Sequence, residues 1–281
     1  MIYEALSTGL TRNWAVDDVI VDTTTPFQHL VIADTAQGVS LFCDDDRQST
    51  EFSQLTYHEA LMVPALLLAD RVERVLVIGS SEGVACQMAV EAGAVTVDHV
   101  DIDEQAVRLC AEYLPYGYTP ADVASAERGD DAIRLRFIDG YHYIATTSER
   151  YDVVVVDLPD EREEPAQQNR LYGEQFLASC RDVLSPGGVV VSQAGCQTMW
   201  RNATLIHMWR RFHGVFGTVA YYGSDEHEWA YLIGRADRLP DPTATMAERL
   251  PGLRYRPQSI DSMALAGNTI PPFSVRHAAV S

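Results

Sequence analysis

The chain has 281 residues, 47% of them apolar, and carries 40 acidic against 21 basic side chains for a formal charge of −19. That apolar content excludes global disorder and supports one good-sized domain with a smaller companion. The charge repels nucleic acid and anionic membranes, so neither is an expected partner, whereas cations are. Cys43, Cys86, Cys110, Cys180 and Cys196 are scattered, odd in number and without a CxxC pair. A disulfide framework or a zinc site is therefore not expected, and a reducing cytoplasm is the expected location. The first residues lack the basic end and apolar stretch of a signal peptide, and no apolar run approaches the ~20 residues of a membrane span.

Taken in order, residues 1–50 read as an N-terminal β domain. Val19–Thr25, Phe27–Ala33 and Val39–Cys43 are short β-rich runs, and Asp44-Asp45-Asp46 is a turn. Residues 51–73 form a connecting helix with Pro64 inside it, where a kink or restart is expected. Residues 74–235 alternate strand and helix. Arg74–Gly79 is a buried strand ending in a tight turn, Ala85 onward is helical, and Val95–Ile102 is the second strand. A helix follows over Glu104–Tyr113, and Leu114–Arg128, with Pro115, Gly117 and Pro120, reads as loop. The remaining strands are Arg134–Ile138, Tyr151–Asp157 and Val189–Ser192, followed by the antiparallel pair Thr218–Tyr222 and Glu228–Ile233. Helices are expected over Tyr141–Thr146, Leu171–Leu184 and Thr198–Phe212. Such alternation gives a parallel sheet covered on both faces. Residues 236–281 form a proline-rich tail with a short helix near Thr243–Leu250.

In an open α/β sheet, ligands lie beyond the carboxyl ends of the strands. Those ends here carry Gly79 to Gly83, Asp101, Asp139 and Asp157, with Glu82 in the first loop. A carboxylate at the tip of the second strand, about 20 residues past the glycine turn, is placed to bond ribose hydroxyls. Ser80 and Ser81 stand where a dinucleotide fingerprint has glycines, which favours a nucleoside without a pyrophosphate, such as an adenosyl-sulfonium compound. Asp157 and Asp160 follow directly on a buried strand, where two carboxylates can hold an ammonium and take its proton. The polar stretch after Asp160, including Glu161, Glu163 and Glu164, reads as a lid or an ordinary solvated loop.

These residues resemble the spermidine synthase family of aminopropyltransferases over about Phe27 to Ile233. The matching pieces fall in order: Phe27-Gln28, Gln48 before Tyr57-His58-Glu59, Ile78-Gly-Ser-Ser-Glu-Gly, Asp101-Ile-Asp and Asp139-Gly140. They continue with Asp157-Leu-Pro-Asp160, Pro165-Ala166 with Leu171-Tyr172, and Gln193-Ala-Gly-Cys-Gln197. The Asp-Leu-Pro-Asp and Glu228-Trp229 pieces resemble a bacterial spermidine synthase-like subgroup. The resemblance implies an α/β, Rossmann-like S-adenosylmethionine-dependent transferase sheet with a small N-terminal β-hairpin domain. It further implies decarboxylated S-adenosylmethionine as donor, a di- or polyamine as acceptor, no metal, and a homodimer or homotetramer. By position, Asp101 would hold the ribose and Asp139 the adenine, beside Gly79 and Gly140. Gln28, His58 and Glu82 would line the sulfonium and amine end. Asp157 would orient and deprotonate the attacking amine, with Tyr57 and Asp160 helping to bind the acceptor. Gln48, Gln193 and Tyr172 would complete the substrate side.

The departures are Ser80 and Ser81, Ser53-Gln54 in place of an acidic pair, and Gly223-Ser-Asp-Glu-His where the family has a second acceptor tyrosine. Asp225, Glu226 and Glu228 are candidates for a substitute acidic wall, or for a surface turn. Two other readings follow. One is an enzyme acting on intact S-adenosylmethionine by methyl or aminocarboxypropyl transfer or by internal cyclisation. The other is a non-enzymatic nucleoside- or polyamine-binding module. His207, His213 and His227 have no ligand spacing with cysteines, which argues against metal.

Overall fold

The computed structural model describes residues 1–162, 164–224 and 226–278. The chain opens with a hairpin of β1 (Ile2–Ser7) and β2 (Leu10–Trp14). A four-stranded antiparallel meander follows, in the order β3 (Asp18–Thr24), β4 (His29–Thr35), β5 (Gly38–Cys43) and β6 (Asp46–Thr50). The hairpin and β6 are absent from the sequence reading. Their residues are largely polar and alternate weakly, so period-2 patterning is faint there. The turn before β6 is confined to Asp44 and Asp45, both at positive φ, which acidic side chains tolerate.

Helix α1 (Gln54–Leu68) then leads into the central sheet. It runs through Pro64 as one helix, and Tyr57–Leu68 are buried throughout. The sheet comprises β7 (Arg74–Gly79), β8 (Thr96–Asp101), β9 (Ile133–Phe137), β10 (Tyr151–Asp157), β11 (Leu184–Cys196), β12 (Thr218–Gly223) and β13 (Trp229–Arg235). Their spatial order is β12-β13-β11-β10-β7-β8-β9. The five strands from β11 to β9 are parallel, and β13 runs antiparallel to both of its neighbours. β7 and β10 are Val/Ile/Leu-rich because helices cover both faces. Val75 and Val77 point to one core and Leu76 and Ile78 to the other.

On the first face lie α1, α2 (Val84–Glu91), α4 (Pro120–Arg128), α8 (Pro242–Arg249) and α9 (Ser262–Asn268). On the second lie α5 (Gly140–Thr146), α6 (Glu174–Asp182), α7 (Ala203–Val215) and α10 (Phe273–His277). Helix α3 (Glu104–Tyr113) packs Ala106 and Cys110 against Leu30, Ile32, Leu41 and Cys43 of the meander. That contact seats the N-terminal sheet over the strand tips.

Three expectations change. Residues 120–128 are helix α4 rather than loop: Thr119 and Asp122 form a capping box and Pro120 occupies the first turn, where its missing N–H costs nothing. The stretch expected as helix from Leu171 to Leu184 is a 3-10 turn (Gln167–Tyr172), a break at Gly173, then α6. Residues 198–202 precede α7, because β11 extends to Cys196.

The tail folds back on α1. Glu59, fully buried, accepts from Tyr255 Oη (2.9 Å), Gln258 N (2.7 Å), Ser259 N (2.7 Å) and Ser259 Oγ (2.5 Å). A buried carboxylate is tolerated when each oxygen is satisfied in this way. Glu59→Gln turns one acceptor oxygen into a donor facing donors, and is expected to cost about 1–3 kcal/mol, read by urea denaturation.

Candidate active site

The chain order reverses between β7 and β10: from β7 it proceeds outward to β8 and β9, and from β10 it proceeds the other way to β11. Crevices open at such switch points. The tips meet in register, Asp157 beside Gly79. A Cβ on Gly79 would lie 2.1 Å from the Asp157 carbonyl oxygen, and its φ of +79° is one that L side chains rarely adopt, so this position requires glycine. Ser80 follows at φ +60°, its N–H donating to the same carbonyl at 3.0 Å. The tight turn thus survives without the glycines of a dinucleotide loop.

A cavity of about 1010 Å³, counting its open mouth, lies over these tips. The central sheet contributes Gly79, Glu82, Asp101, Asp103, Asp139, Gly140 and Asp157. The meander and α1 add Phe27, Gln28, Gln48 and Tyr57, and the segment after β10 adds Gln167, Gln168, Arg170 and Leu171. That segment is tied down by Asn169, which donates to the carbonyls of Arg162 and Glu164 at 2.9 Å each. Five carboxylates and one guanidinium are present among these described lining residues.

Each carboxylate has its own partners. Asp101 accepts from Asp103 N (2.8 Å) and Ser81 Oγ (2.7 Å), and burial pushes its carboxyl up to about 6. Asp103 caps α3 through Ala106 N and accepts from Thr25 Oγ1 (2.6 Å) and Gln28 Nε2 (3.0 Å), which pins the meander to the site. Asp139 caps α5 through Tyr141 N (2.8 Å) and pairs with Arg170 on its other oxygen. Asp157 accepts from Tyr57 Oη at 2.5 Å. Burial raises the Asp157 carboxyl; His58 and the Tyr57 hydrogen bond pull it down, and the charge of Glu82 adds to the rise.

Nine of the thirteen residues singled out from sequence therefore share one wall: Gln28, Gln48, Tyr57, Gly79, Glu82, Asp101, Asp139, Gly140 and Asp157. The other four do not line it. His58 is buried next to Tyr57, with Nδ1 2.7 Å from the Gln54 carbonyl oxygen, because the helix turns it away from the cavity. Tyr172 Oη lies against the carbonyls of Leu158 (3.1 Å) and Pro159 (2.9 Å), bracing the strand exit. Gln193 donates to Asp160, and neither residue lines the cavity. Glu228 is no free acidic wall, since Arg12 and Arg47 bind it, and Glu226 is exposed. Asp225 and Glu163 lie outside the described residues. Arg170 and Asp103 were missed as site residues. The Asp101-Ile-Asp piece was a signal for Asp103, but nothing local marks Arg170. Among the described residues no group of three or more His, Cys, Asp or Glu side chains is arranged to hold a metal, and no helix is long and apolar enough to cross a membrane.

The switch-point cavity, its five carboxylates and the buried acid–tyrosine pair define a Rossmann-like sheet with a ligand-sized crevice at its strand tips. The chain belongs to the spermine/spermidine synthase domain family, whose pattern matches residues 54–224. It is 29% identical over 238 residues to a polyamine aminopropyltransferase of Prochlorococcus marinus (strain MIT 9313), covering 82% of this chain and 80% of that one. It is 32% identical over 231 residues to a polyamine aminopropyltransferase of Aeropyrum pernix, covering 80% and 71%. The fold matches a spermidine synthase solved with the transition-state analogue AdoDATO (TM-score 0.85, 18% identity, covering 99% of this chain and 94% of that one). It also matches the spermidine synthase of Thermotoga maritima (TM-score 0.83, 18% identity, covering 99% and 93%).

Proposed function

We propose that this transferase moves an aminopropyl group from decarboxylated S-adenosylmethionine to an amine acceptor and releases methylthioadenosine. The observation that carries this reading is the charge of the cavity wall: five carboxylates, and one guanidinium that is already paired with Asp139. A donor bearing a sulfonium and an ammonium suits that wall. The carboxylate of intact S-adenosylmethionine would face Glu82 and Asp157, and the one guanidinium among the described lining residues, Arg170, is already paired with Asp139, so methyl or aminocarboxypropyl transfer and cyclisation are disfavoured.

In the reaction, the acceptor nitrogen forms a bond to the carbon next to sulfur. The carbon–sulfur bond breaks, sulfur keeps the electron pair as a neutral thioether, and the amine proton passes to Asp157. Asp101 accepts from the ribose hydroxyls and Asp139 faces the adenine. Gln28 and Glu82 face the sulfonium and propylamine end. Tyr57 orients Asp157, and burial raises that carboxyl above its ordinary value, which favours its taking a proton. Gln167, Gln168, Arg170 and Leu171 of the segment after β10 wall the cavity and are placed to exclude water from a displacement that needs orientation more than covalent help.

Calorimetry with the two donors tests this: the decarboxylated form is expected to bind at least about 10-fold tighter, like charge being costly in a buried site. Equal or tighter binding of intact S-adenosylmethionine, or no methylthioadenosine with any amine, would sink the reading. Donor affinity is also expected to depend on pH. The Asp101 carboxyl is raised, so its acceptor oxygens are fully available only above about pH 6 and are lost as pH falls through that value. The donor dissociation constant should rise about tenfold per unit below it. A homodimer or homotetramer fits the exposed Leu10, Val19 and Ile20 of the N-terminal strands, and a reducing cytoplasm fits five free, buried cysteines.

A further inference from the structure

Arg170 is the one guanidinium among the described residues that line the cavity, and it is built into the wall. Leu171 and Tyr172, which follow it, are buried, and Asn169 before it is clamped to the carbonyls of Arg162 and Glu164. The backbone that carries Arg170 is therefore anchored on both sides. One face of the guanidinium lies over the Tyr141 ring at 5.6 Å, and that ring stacks on Phe176 with centroids 5.8 Å and planes 22° apart. One edge is fixed as well, because Nη2 donates to Asp139 Oδ2. The Tyr141 N–H holds Asp139 in turn, donating to Oδ1 at 2.8 Å.

These contacts orient the pair and leave most of its hydrogen-bonding capacity unused. A guanidinium carries five N–H donors, and among the described residues only the bond to Asp139 engages one of them. The Arg170 side chain is 44% exposed and that of Asp139 27%, and both line the cavity. The pair thus offers the cavity a carboxylate oxygen with a spare lone pair beside N–H groups without an acceptor. The same wall carries Ile78, Val100, Ile102 and Leu158, apolar surface for the faces of a flat ring. An acceptor and a donor side by side complement an edge of adenine, where the amino group donates and a flanking ring nitrogen accepts. Amide side chains read adenine by the same pattern.

We propose that Arg170 is a specificity-determining residue for the donor's nucleobase: it donates to a ring nitrogen, N1 or N7, that flanks the amino group received by Asp139. The inference rests on the aminopropyl-transfer reading and deepens it at the nucleoside end of the cavity. Tyr141 and Asp139 hold the guanidinium in place before the base arrives, so little ordering is left for binding to supply. Donor and methylthioadenosine share the base, and the contact acts on both alike.

The test measures methylthioadenosine and its 1-deaza and 7-deaza analogues, in which a C–H replaces one ring nitrogen, by calorimetry on the unaltered protein and on Arg170→Met. At least one analogue is expected to bind the unaltered protein about 10- to 100-fold more weakly than methylthioadenosine, the range for a lost hydrogen bond to a charged group. Arg170→Met should weaken methylthioadenosine by a similar factor and leave that analogue unchanged, because the contact it would lose is already missing. In turnover with decarboxylated S-adenosylmethionine, the variant should raise the donor KM by the same factor and leave kcat alone, as for loss of an interaction common to ground and transition states. The half-exposed position tolerates methionine, and a melting measurement checks that the variant is folded. Both analogues binding the unaltered protein as tightly as methylthioadenosine would overturn the contact. So would an Arg170→Met deficit shared equally by all three ligands, or a fall in kcat with KM unmoved, either of which makes the residue a tie for the segment after β10. In each of those cases methylthioadenosine still binds and aminopropyl transfer stands. No binding of methylthioadenosine to the unaltered protein removes both readings.

Discussion

Asp157→Asn is expected to lower kcat by about 100- to 10,000-fold, the range for loss of a positioned general base. The amide keeps the shape of the carboxylate and can still accept from Tyr57, so the loss reports proton transfer rather than collapse of the strand tip. Two further readings separate these causes. Affinity for methylthioadenosine, which carries no group that reaches the base, should stay close to that of the unaltered protein. The deficit should also shrink as pH rises past the amine pKa of about 10, because the acceptor then arrives unprotonated and needs no base. A deficit constant from pH 7 to pH 10.5 would assign Asp157 to binding or structure instead.

Removing the carboxylate from the tip of β8 should act on the opposite step. Asp101→Ala is expected to weaken donor binding by about 2–4 kcal/mol, or roughly 30- to 1,000-fold, as hydrogen bonds from two ribose hydroxyls to a charged acceptor are lost. Ribose is common to donor and product, so methylthioadenosine should weaken by the same factor. That equality distinguishes the variant from Asp157→Asn. Ser81 Oγ and Asp103 N also lose their acceptor, so a melting measurement without ligand gives the stability share of the effect. Methylthioadenosine affinity unchanged in Asp101→Ala would remove the ribose role.

The parts of the site that were legible in the sequence share a physical cause. A strand buried on both faces is mostly apolar, so its polar end is conspicuous: Gly79 and Asp157 stand where apolar runs stop, whereas Asp101 ends a strand that Asp98 and His99 already interrupt and is marked by its distance from the glycine turn. Asp139 also caps its helix, a role set by local backbone groups alone. The parts that were not legible depend on contacts distant in sequence. Arg170 pairs with a residue 31 positions away, and Glu59 with backbone 199 and 200 positions away. Helix α4 was readable in principle from Thr119-Pro120-Ala121-Asp122, but its proline was taken as a breaker where it starts the helix.

Sequence by itself determined the alternation of elements, the parallel sheet and the carboxylates at its strand tips, because burial periodicity and capping act over a few residues. Only the tertiary structure decided that His58, Asp160, Tyr172 and Gln193 stand behind the cavity wall and that the first hairpin brings Glu4 and Arg12 to Arg201 and Glu228. Those outcomes depend on how α1, β11 and the N-terminal strands pack against one another, and the free energy of such long-range packing leaves no local pattern in the chain.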